Sequence, residues 1–305
     1  MRRRPCGALA PVLMALLALA ALAALAAGCE RRSQDAPAAE APAATLVATA
    51  GYGERELLST RVAPGQSVMR ALRGATEVRT AYAGAFVDSM LGLRSDAAAE
   101  EDWFFFVNGV AGATSAEQVP LGDGDAVWWD HRDWGSLQNA FAVVGQWPAP
   151  LALPGGRGPA VAADPPLRAA LEAAGARLTD VSSPWRAVVG ASDALARRDP
   201  AWRRALADPD GAGIGVAVEG GANGPRPGGA PREPVPGARA LIAAVPTDPA
   251  DPQAGVAVVV AGLDDAAARA AARALADDPA IVRGRYALTL DGEGRPLRAA
   301  GRAGP

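Results

Sequence analysis

Cysteine, lysine and histidine are nearly missing from this sequence. The 305 residues include two Cys and one His, and every basic residue is Arg because there is no Lys. Both cysteines, Cys6 and Cys29, lie near the start, so the chain beyond residue 29 has no thiol and no disulfide. These absences exclude thiol catalysis and cysteine-ligated metal sites there.

Recognisable catalytic motifs are missing as well. The sequence contains no Gly-x-Ser-x-Gly elbow, no Walker loop and no His-Glu-x-x-His helix. We therefore predict that the protein is not an enzyme, with no catalytic residue, no metal site and no resident cofactor. The formal net charge of −3 also argues against a nucleic-acid partner.

The first 29 residues have the pattern of an export signal. Three arginines, Arg2 to Arg4, precede an uncharged run over 7–27 that is rich in Ala and Leu. The run ends in Leu25-Ala26-Ala27-Gly28-Cys29, which resembles a lipobox, so Cys29 is the predicted lipid attachment site. Removing residues 1–28, with three Arg and no acid, leaves a formal charge of −6. An uncleaved anchor and plain secretion remain alternatives.

The rest of the chain divides by composition. Residues 30–44 are a low-complexity Ala/Pro stretch, and a stretch rich in Pro and Gly from Trp147 to Pro166 separates two folded units. The predicted organisation is a lipoprotein signal peptide (1–28), a disordered stalk (29–44), a β-grasp domain (45–135), a linker (136–165) and an α/β domain (166–298) with a flexible insertion (220–237).

Short strands with turn signals dominate the first unit. We predict paired strands over Leu46–Thr49 and Glu56–Val62, then a helix over Val68–Leu72 that Ser67 caps. Two aromatic strands follow, Trp103–Val107 and Ala126–Asp130. Asn108-Gly109 and the Asp-Gly-Asp stretch at 123–125 flank the loop between them and are interpreted as turns.

Four stretches of this unit are similar to a known family. They are APGQSVMRAL, AYAGAFVDSMLG, DWFFFVNG and PLGDGDAVWW, in that order. The succession resembles the transcobalamin-like C-terminal domain, a module of the soluble ligand-binding β-grasp domains. The resemblance implies a β-grasp fold and a corrinoid-type ligand such as cobalamin. In transcobalamin this module closes over cobalamin against a helical barrel, and this chain has no such barrel.

The aromatic strands carry large apolar side chains on both faces. Neighbours in a strand point to opposite sides, so Trp128 and Trp129 face apart, as do Phe104 and Phe105. One interpretation is that a second domain or a loop covers the extra face; the other is an aromatic platform for a ligand or partner protein. The ligand-binding candidates are Trp103, Phe105, Trp128, Trp129 and Tyr82.

His131 is the only histidine and lies between Asp130 and Asp133. An acid/base group, a solitary metal ligand and a lower cap on a corrinoid cobalt are alternatives. Metal sites normally need three or four ligands, so a surface histidine at a strand end is favoured.

The second unit has the pattern of an α/β domain. Helices are predicted over 167–174, over 193–206 and from a cap at Asp264 or Asp265 to about Leu275, and short apolar runs predict strands. The runs are 187–189, 214–218, 241–245, 256–261 and 286–290. Strand-to-helix turns at 189–192 and 260–263 could bind an anion, but Asp193, Asp264 and Asp265 would repel phosphate and cap the helices instead. The predicted fold class is therefore α+β overall.

Together these patterns predict a lipid-anchored, extracytoplasmic protein of the cell envelope. Its predicted role is to capture a cobalamin-like or other small ligand for uptake by a membrane transporter. The alternative is an envelope scaffold that docks a partner protein through the aromatic face. An enzyme that depends on His131 is the third hypothesis.

Overall fold

The structure is a computed structural model that describes residues 42–135, 137–214 and 235–299. The predicted signal peptide, the predicted lipid attachment site Cys29 and most of the predicted stalk lie outside these residues. So do residues 215–234, which include most of the predicted insertion and of the predicted strand at 214–218. Within the described ranges, no helix combines the length and the apolar character needed to cross a bilayer.

A mixed five-stranded sheet forms the N-terminal part of the described chain. Numbered in chain order, its strands are β1 (Ala44–Ala50), β2 (Arg55–Val62), β6 (Glu101–Val107), β7 (Val110–Ala111) and β8 (Ala126–Asp133). They lie in the order β2-β1-β8-β6-β7. β1 is antiparallel to β2 and parallel to β8, and β8 is antiparallel to β6. The last strand therefore lies at the centre, beside the first.

Helix α1 (Val68–Ala75) covers one face of this sheet. The Ser67 Oγ accepts a hydrogen bond from the Arg70 backbone N–H at 3.2 Å, which starts the helix as predicted. Val68, Met69 and Leu72 are fully buried in the core beneath it. A hairpin, a helix and a central last strand make up the β-grasp arrangement, so the predicted α+β class with an N-terminal β-grasp module is confirmed.

A small antiparallel sheet follows α1. Its strands are β3 (Val78–Ala81), β4 (Phe86–Met90) and β5 (Leu93–Arg94). Val87 and Met90 of β4 point into the β-grasp core. β3 and β4 are joined by a tight turn over 82–84.

The C-terminal part of the described chain is a seven-stranded sheet. Its strands are β9 (Ala160–Ala163), β10 (Arg177–Thr179), β11 (Arg186–Ala191), β12 (Ala240–Pro246), β13 (Val256–Gly262), β14 (Ala287–Leu290) and β15 (Pro296–Ala299), in the order β10-β9-β11-β13-β12-β14-β15. The first four in this order are parallel, and β12 runs antiparallel to β13. β12 and β13 are buried along their whole length, as expected for apolar runs covered on both faces.

Helices cover both faces of the seven-stranded sheet, which we call the second sheet. They are α2 (Pro165–Ala173), α3 (Ser192–Arg198), α4 (Pro200–Ala207) and α5 (Asp265–Asp277). α2 and α5 pack in one apolar cluster, and α3 and α4 in another on the opposite face. The Asp264 Oδ1 caps α5 by accepting from the Ala267 N–H at 2.8 Å, as predicted.

The single helix predicted over 193–206 is wrong. The chain breaks it at Asp199-Pro200 into α3 and α4. Pro200 has no N–H to continue the first helix, and the Asp199 Oδ1 accepts from the backbone N–H groups of Ala201 and Trp202 to start the second.

The segment predicted as a linker is closely packed. Leu137, Val143, Val144 and Leu151 are at most 3% exposed and belong to the apolar clusters of the second sheet. The Gln146 Oε1 accepts from the Gly109 N–H at 2.6 Å, so this segment also binds the β-grasp sheet. These contacts restrict the motion of the segment.

Tyr286 joins the two large sheets. Its ring contacts those of Tyr52, Phe106 and Trp128, with centroids 5.3, 5.5 and 5.1 Å apart. The buried Tyr286 hydroxyl donates to the Asp130 Oδ2 at 2.9 Å and accepts from the Arg132 Nε at 3.1 Å. One side chain thus completes an apolar cluster and a buried polar network.

We expect Tyr286→Phe to lower the free energy of unfolding by about 2–3 kcal/mol, because it removes a hydroxyl that pairs with two buried charged groups. Equilibrium urea denaturation followed by tryptophan fluorescence measures the loss. Tyr82→Phe makes the same chemical change at a side chain that is 83% exposed and should cost less than about 0.5 kcal/mol. Equal losses in the two variants would show that the hydroxyl network contributes nothing.

Candidate functional site

Four of the five predicted ligand-binding residues lie on two neighbouring strands. In the antiparallel pair β6 and β8, Phe105 is directly opposite Trp129, and Phe106 is opposite Trp128. Trp103, Phe105 and Trp129 face α1, whereas Trp128 faces the second sheet. The structure therefore brings the four side chains together in one sheet but divides them between its two faces.

These four side chains do not form an exposed platform. Trp103, Trp128 and Trp129 are 6%, 2% and 2% exposed, and Phe105 packs against the same core as Trp103 and Trp129. The chain itself covers both faces, because α1 closes one and the second sheet closes the other. The platform interpretation is corrected accordingly, and ligand contact by these residues stays a prediction that would require the core to open.

Two of these indoles are buried without a hydrogen-bond partner. Within the described ranges, the Nε1 atoms of Trp103 and Trp129 have no acceptor. The Trp128 Nε1, on the other face, donates to the Thr49 Oγ1 at 2.7 Å. A buried donor without a partner costs about 1–3 kcal/mol, so the β-grasp core holds two donors that an added acceptor would satisfy.

Tyr82, the fifth predicted residue, lies apart from the other four. It is 83% exposed, and Phe86 beside it is 57% exposed. Their rings meet edge to face, with centroids 5.7 Å apart and an interplanar angle of 77°. Phe86 was not predicted as a site residue, although its shared parity with Tyr82 in an alternating stretch is a signal that could have indicated it.

The backbone at this aromatic pair is strained. Tyr82 and Ala83 have φ of 51° and 57°, in the left-handed backbone region that residues other than glycine rarely adopt. Gly84 follows with a φ of 96°. Such residues cost of order 1–3 kcal/mol each and are concentrated at functional sites. Here the strain presents a large aromatic side chain to solvent.

An open polar cleft of about 620 Å³ adjoins this turn. Its lining includes Gln66, Ser67, Arg70, Arg73, Glu117 and Gln118. Arg73 and Glu117 form a close, half-exposed ion pair, and a Cβ on Gly84 would lie 3.7 Å from the Arg73 guanidinium. Gly84, in the turn between Tyr82 and Phe86, therefore lies beside the cleft, and we call the aromatic pair and the cleft together the Tyr82 surface.

The cleft has an excess of positive charge. Arg70 forms no ion pair within the described ranges, while Arg73 is neutralised by Glu117. A guanidinium offers five N–H donors in a planar fork. The cleft can therefore bind a carbonyl, carboxylate or phosphate group, while Tyr82 and Phe86 contact an apolar face.

His131 is not the surface histidine that was favoured. It is 7% exposed, and its Nε2 donates to the Arg94 carbonyl at 3.0 Å. Its ring also lies edge to face with that of Trp103, with centroids 5.0 Å apart. Among the described residues, no group of three or more His, Cys, Asp or Glu is placed to hold a metal ion.

The turn residues between β6 and β8 form a local network. The Asp125 carboxylate accepts from the Asn108 Nδ2 at 3.0 Å, the Gly122 N–H at 2.6 Å and the Arg157 Nη2 at 2.8 Å. Burial raises the pKa of Asp125, but these donors outweigh it and lower the pKa overall. The interpretation of Asn108 and the Asp-Gly-Asp stretch as turn chemistry agrees with these contacts.

Asp130 is the most buried charged group near the predicted aromatic site. Burial raises its pKa above the ordinary value of 3.8, and hydrogen bonds from Thr49, Tyr286 and Gly53 offset this only in part. The Thr49 Oγ1 donates at 2.6 Å and the Gly53 N–H at 3.2 Å, both to Oδ1. Every contact of this carboxylate is internal, which favours a structural role.

The fold and the surface define an α+β protein with two large sheets and one small sheet, which contains a β-grasp module. Residues 65–132 match the family model described as "Domain of unknown function (DUF4430)", which is grouped with transcobalamin-like families. This match spans less than a quarter of the chain. It includes every residue named above for the Tyr82 surface.

Comparison with solved structures found similarity to a protein from Ruminococcus gnavus ATCC 29149 to which metal binding has been ascribed. The identity is 18% and the TM-score 0.26, over 30% of this chain and 97% of that one. No curated protein matches the chain.

We expect Asp130→Asn to lower the free energy of unfolding most at about pH 3.8 and below, and progressively less as the pH rises towards neutral. The folded protein holds this proton more tightly than the unfolded chain, so the stabilisation is full below 3.8 and is lost as the pH rises through the raised pKa. Urea denaturation across this range, with wild type subtracted, measures the trend.

Asp199→Asn is the matched control with the opposite sign. Burial raises the pKa of Asp199, but hydrogen bonds from Arg186 and from two backbone N–H groups lower it overall. Its stabilisation is present above 3.8 and is lost as the pH falls through the lowered pKa. If the losses of unfolding free energy in Asp130→Asn and Asp199→Asn change in the same direction with pH, this account of Asp130 is contradicted.

Proposed function

We propose that this protein is a lipid-anchored, extracytoplasmic binding protein that captures a small cobalamin-like ligand for uptake by a membrane transporter. The observation that carries the proposal is the exposed Tyr82–Phe86 pair on a strained turn beside a polar cleft. In this proposal the protein acts by binding and not by catalysis.

The chemistry of the Tyr82 surface suits a flat ligand with a polar periphery. Exposed aromatic rings provide apolar contact at a small cost in conformational entropy, and exposed apolar patches commonly mark binding sites. Arg70 and the polar side chains of the cleft offer donors to amide or phosphate groups. A corrinoid combines such a flat macrocycle with amide side chains.

Two further observations support the ligand class. The family match over 65–132 includes the whole Tyr82 surface, and that family is grouped with transcobalamin-like families. The stretches that resemble the transcobalamin-like C-terminal domain include AYAGAFVDSMLG, which contains both Tyr82 and Phe86. The proposed ligand is therefore cobalamin or a related tetrapyrrole.

The anchor follows from the first 29 residues. A basic start, an uncharged run and the sequence Leu25-Ala26-Ala27-Gly28-Cys29 support export, followed by acylation of Cys29. Two or more acyl chains hold a protein stably at a membrane, whereas one holds it only marginally. An anchored binding protein is suited to deliver its ligand to a transporter in the same membrane.

We expect Tyr82→Ala and Phe86→Ala each to weaken cobalamin binding by about tenfold or more, as for aromatic residues at the centre of a binding surface. Equilibrium dialysis of the full chain in detergent, following cobalamin absorbance, measures retention. Val181→Ala is the control, because Val181 is 71% exposed but lies on the loop between β10 and β11. No retention by wild type, or equal retention by all variants, would contradict the proposal.

The second candidate function is a scaffold that docks a partner protein. The high exposure of Tyr82 and Phe86 favours it, since aromatic residues dominate the energetics of protein interfaces. If cobalamin does not bind, and a photo-crosslinking residue at position 82 traps one envelope protein that the same probe at position 181 does not, this function replaces ligand capture.

We expect Cys29→Ser to abolish incorporation of an alkyne-tagged fatty acid and to release the protein from membranes, because the acylated thiol is gone. Metabolic labelling and membrane fractionation of expressing bacteria measure both effects. Cys6→Ser removes the other cysteine of the chain and should leave labelling unchanged. Labelling that survives Cys29→Ser would exclude this attachment site.

A further inference from the structure

A small pocket of about 280 Å³ lies between α4, the turn that follows it and the end of β12. It shares no lining residue with the polar cleft of the Tyr82 surface. Its apolar lining includes Phe141, Ala201, Ala205, Ala212, Val245 and Pro249. None of the interpretations above uses this pocket.

The interior of the pocket is shaped by small side chains. Ala201 and Ala205 of α4 are buried at 2% and 1% exposure, and Val245 of β12 is 1% exposed. Phe141 provides an aromatic side chain on the lining, and its N–H and carbonyl are held by Asn139 and Ala111. The result is an apolar recess with firmly packed walls.

Two opposite charges line the same pocket. Arg204 lies in the last turn of α4, and Asp208 follows four residues later at the end of this helix. Both side chains are exposed, and neither forms an ion pair with any residue in the described ranges. The Arg204 Nη2 donates to the Thr247 carbonyl, and the Asp208 Oδ1 accepts from the Gly211 N–H at 3.0 Å.

These contacts leave binding capacity on both groups. A guanidinium has five N–H donors and a carboxylate two acceptor oxygens, so each retains free positions. Asp208 is the C-cap of α4, and its backbone N–H donates to the Arg204 carbonyl at 2.7 Å, so the two residues lie next to each other at the end of the helix. The pocket therefore combines an apolar recess with a cation and an anion set close together.

We propose that this pocket binds a free apolar α-amino acid. The carboxylate of the ligand binds Arg204, its ammonium group binds Asp208, and its side chain fills the recess lined by Phe141, Ala205 and Val245. A lone carboxylate would be repelled by Asp208, and a lone amine by Arg204. Only a zwitterion satisfies both charges.

The size of the pocket limits which side chain the bound amino acid can have. A cavity of about 150 Å³ holds one benzene molecule, and drug-sized ligands occupy about 300–1,000 Å³. At about 280 Å³, the recess takes a phenyl or branched aliphatic side chain together with the α-carbon. Phenylalanine and leucine fit this description, whereas alanine would leave the recess mostly empty.

The test is calorimetric titration of the full chain in detergent with L-phenylalanine and L-leucine up to millimolar concentration. Three analogues each lack one element: 3-phenylpropionate lacks the ammonium group, phenethylamine lacks the carboxylate, and L-alanine lacks the apolar side chain. We expect binding of the two amino acids, and at least tenfold weaker binding of every analogue. Equal binding of phenylpropionate, or no binding of either amino acid, overturns the proposal.

Variants assign the binding to this pocket. Arg204→Gln and Asp208→Asn should each weaken L-phenylalanine binding about tenfold or more. Arg203→Gln is the matched control, because Arg203 is the exposed neighbour on the same helix and does not line the pocket. Equal affinity in Arg204→Gln and Arg203→Gln overturns the proposal, even if the protein binds the amino acid elsewhere.

This inference is independent of the proposed function. Tyr82→Ala should leave L-phenylalanine binding unchanged, and Arg204→Gln should leave cobalamin retention unchanged. Since Arg204 is exposed, its replacement keeps the core intact, and coincident urea denaturation curves of Arg204→Gln and wild type would verify this. Each binding proposal can thus fail while the other stands.

Discussion

The need to bury two aromatic faces of one thin sheet constrains the whole described structure. β6 and β8 carry large rings on both sides, and a β-grasp helix covers only one of them. The second sheet covers the other, with Tyr286 packed against Phe106 and Trp128. Burial of this much apolar area supplies the main driving force for their association, and the contacts of Asp130 and Arg132 with the Tyr286 hydroxyl make it specific.

Because of this packing, the surfaces available to a ligand or a partner lie elsewhere than on the aromatic strands. Once Trp103, Trp128 and Trp129 are buried, their rings stabilise the fold, and a ligand reaches them only if the core opens. Two candidate surfaces lie away from these strands, one on the Tyr82 turn and one at the end of α4. Both combine exposed or accessible apolar groups with arginine, the only basic side chain of this protein apart from His131. Arginine suits this role because its planar fork binds carboxylate, amide and phosphate oxygens with defined geometry.

Much of the local structure could be predicted because local signals decide it. Ser67 and Asp264 each cap the helix that follows them, and a short apolar run that ends in a turn signal indicates a strand such as β6. Other elements were missed for a physical reason. β9 is mostly alanine and β10 has only three residues, so neither carries a β signal of its own, and each becomes a strand only by pairing with its neighbour.

The amino-acid sequence by itself determined the α+β class, the β-grasp order of elements and the presence of apolar side chains on both sides of the aromatic strands. Only the tertiary structure decided which segment covers each face, because long-range packing depends on shape and not on local propensity. The same holds for the candidate sites. Sequence pattern identified Tyr82 among five aromatic candidates, but exposure separates it from the others, and exposure is a property of the folded chain. The pairing of Arg204 and Asp208 with an apolar recess likewise exists only where α4 meets β12.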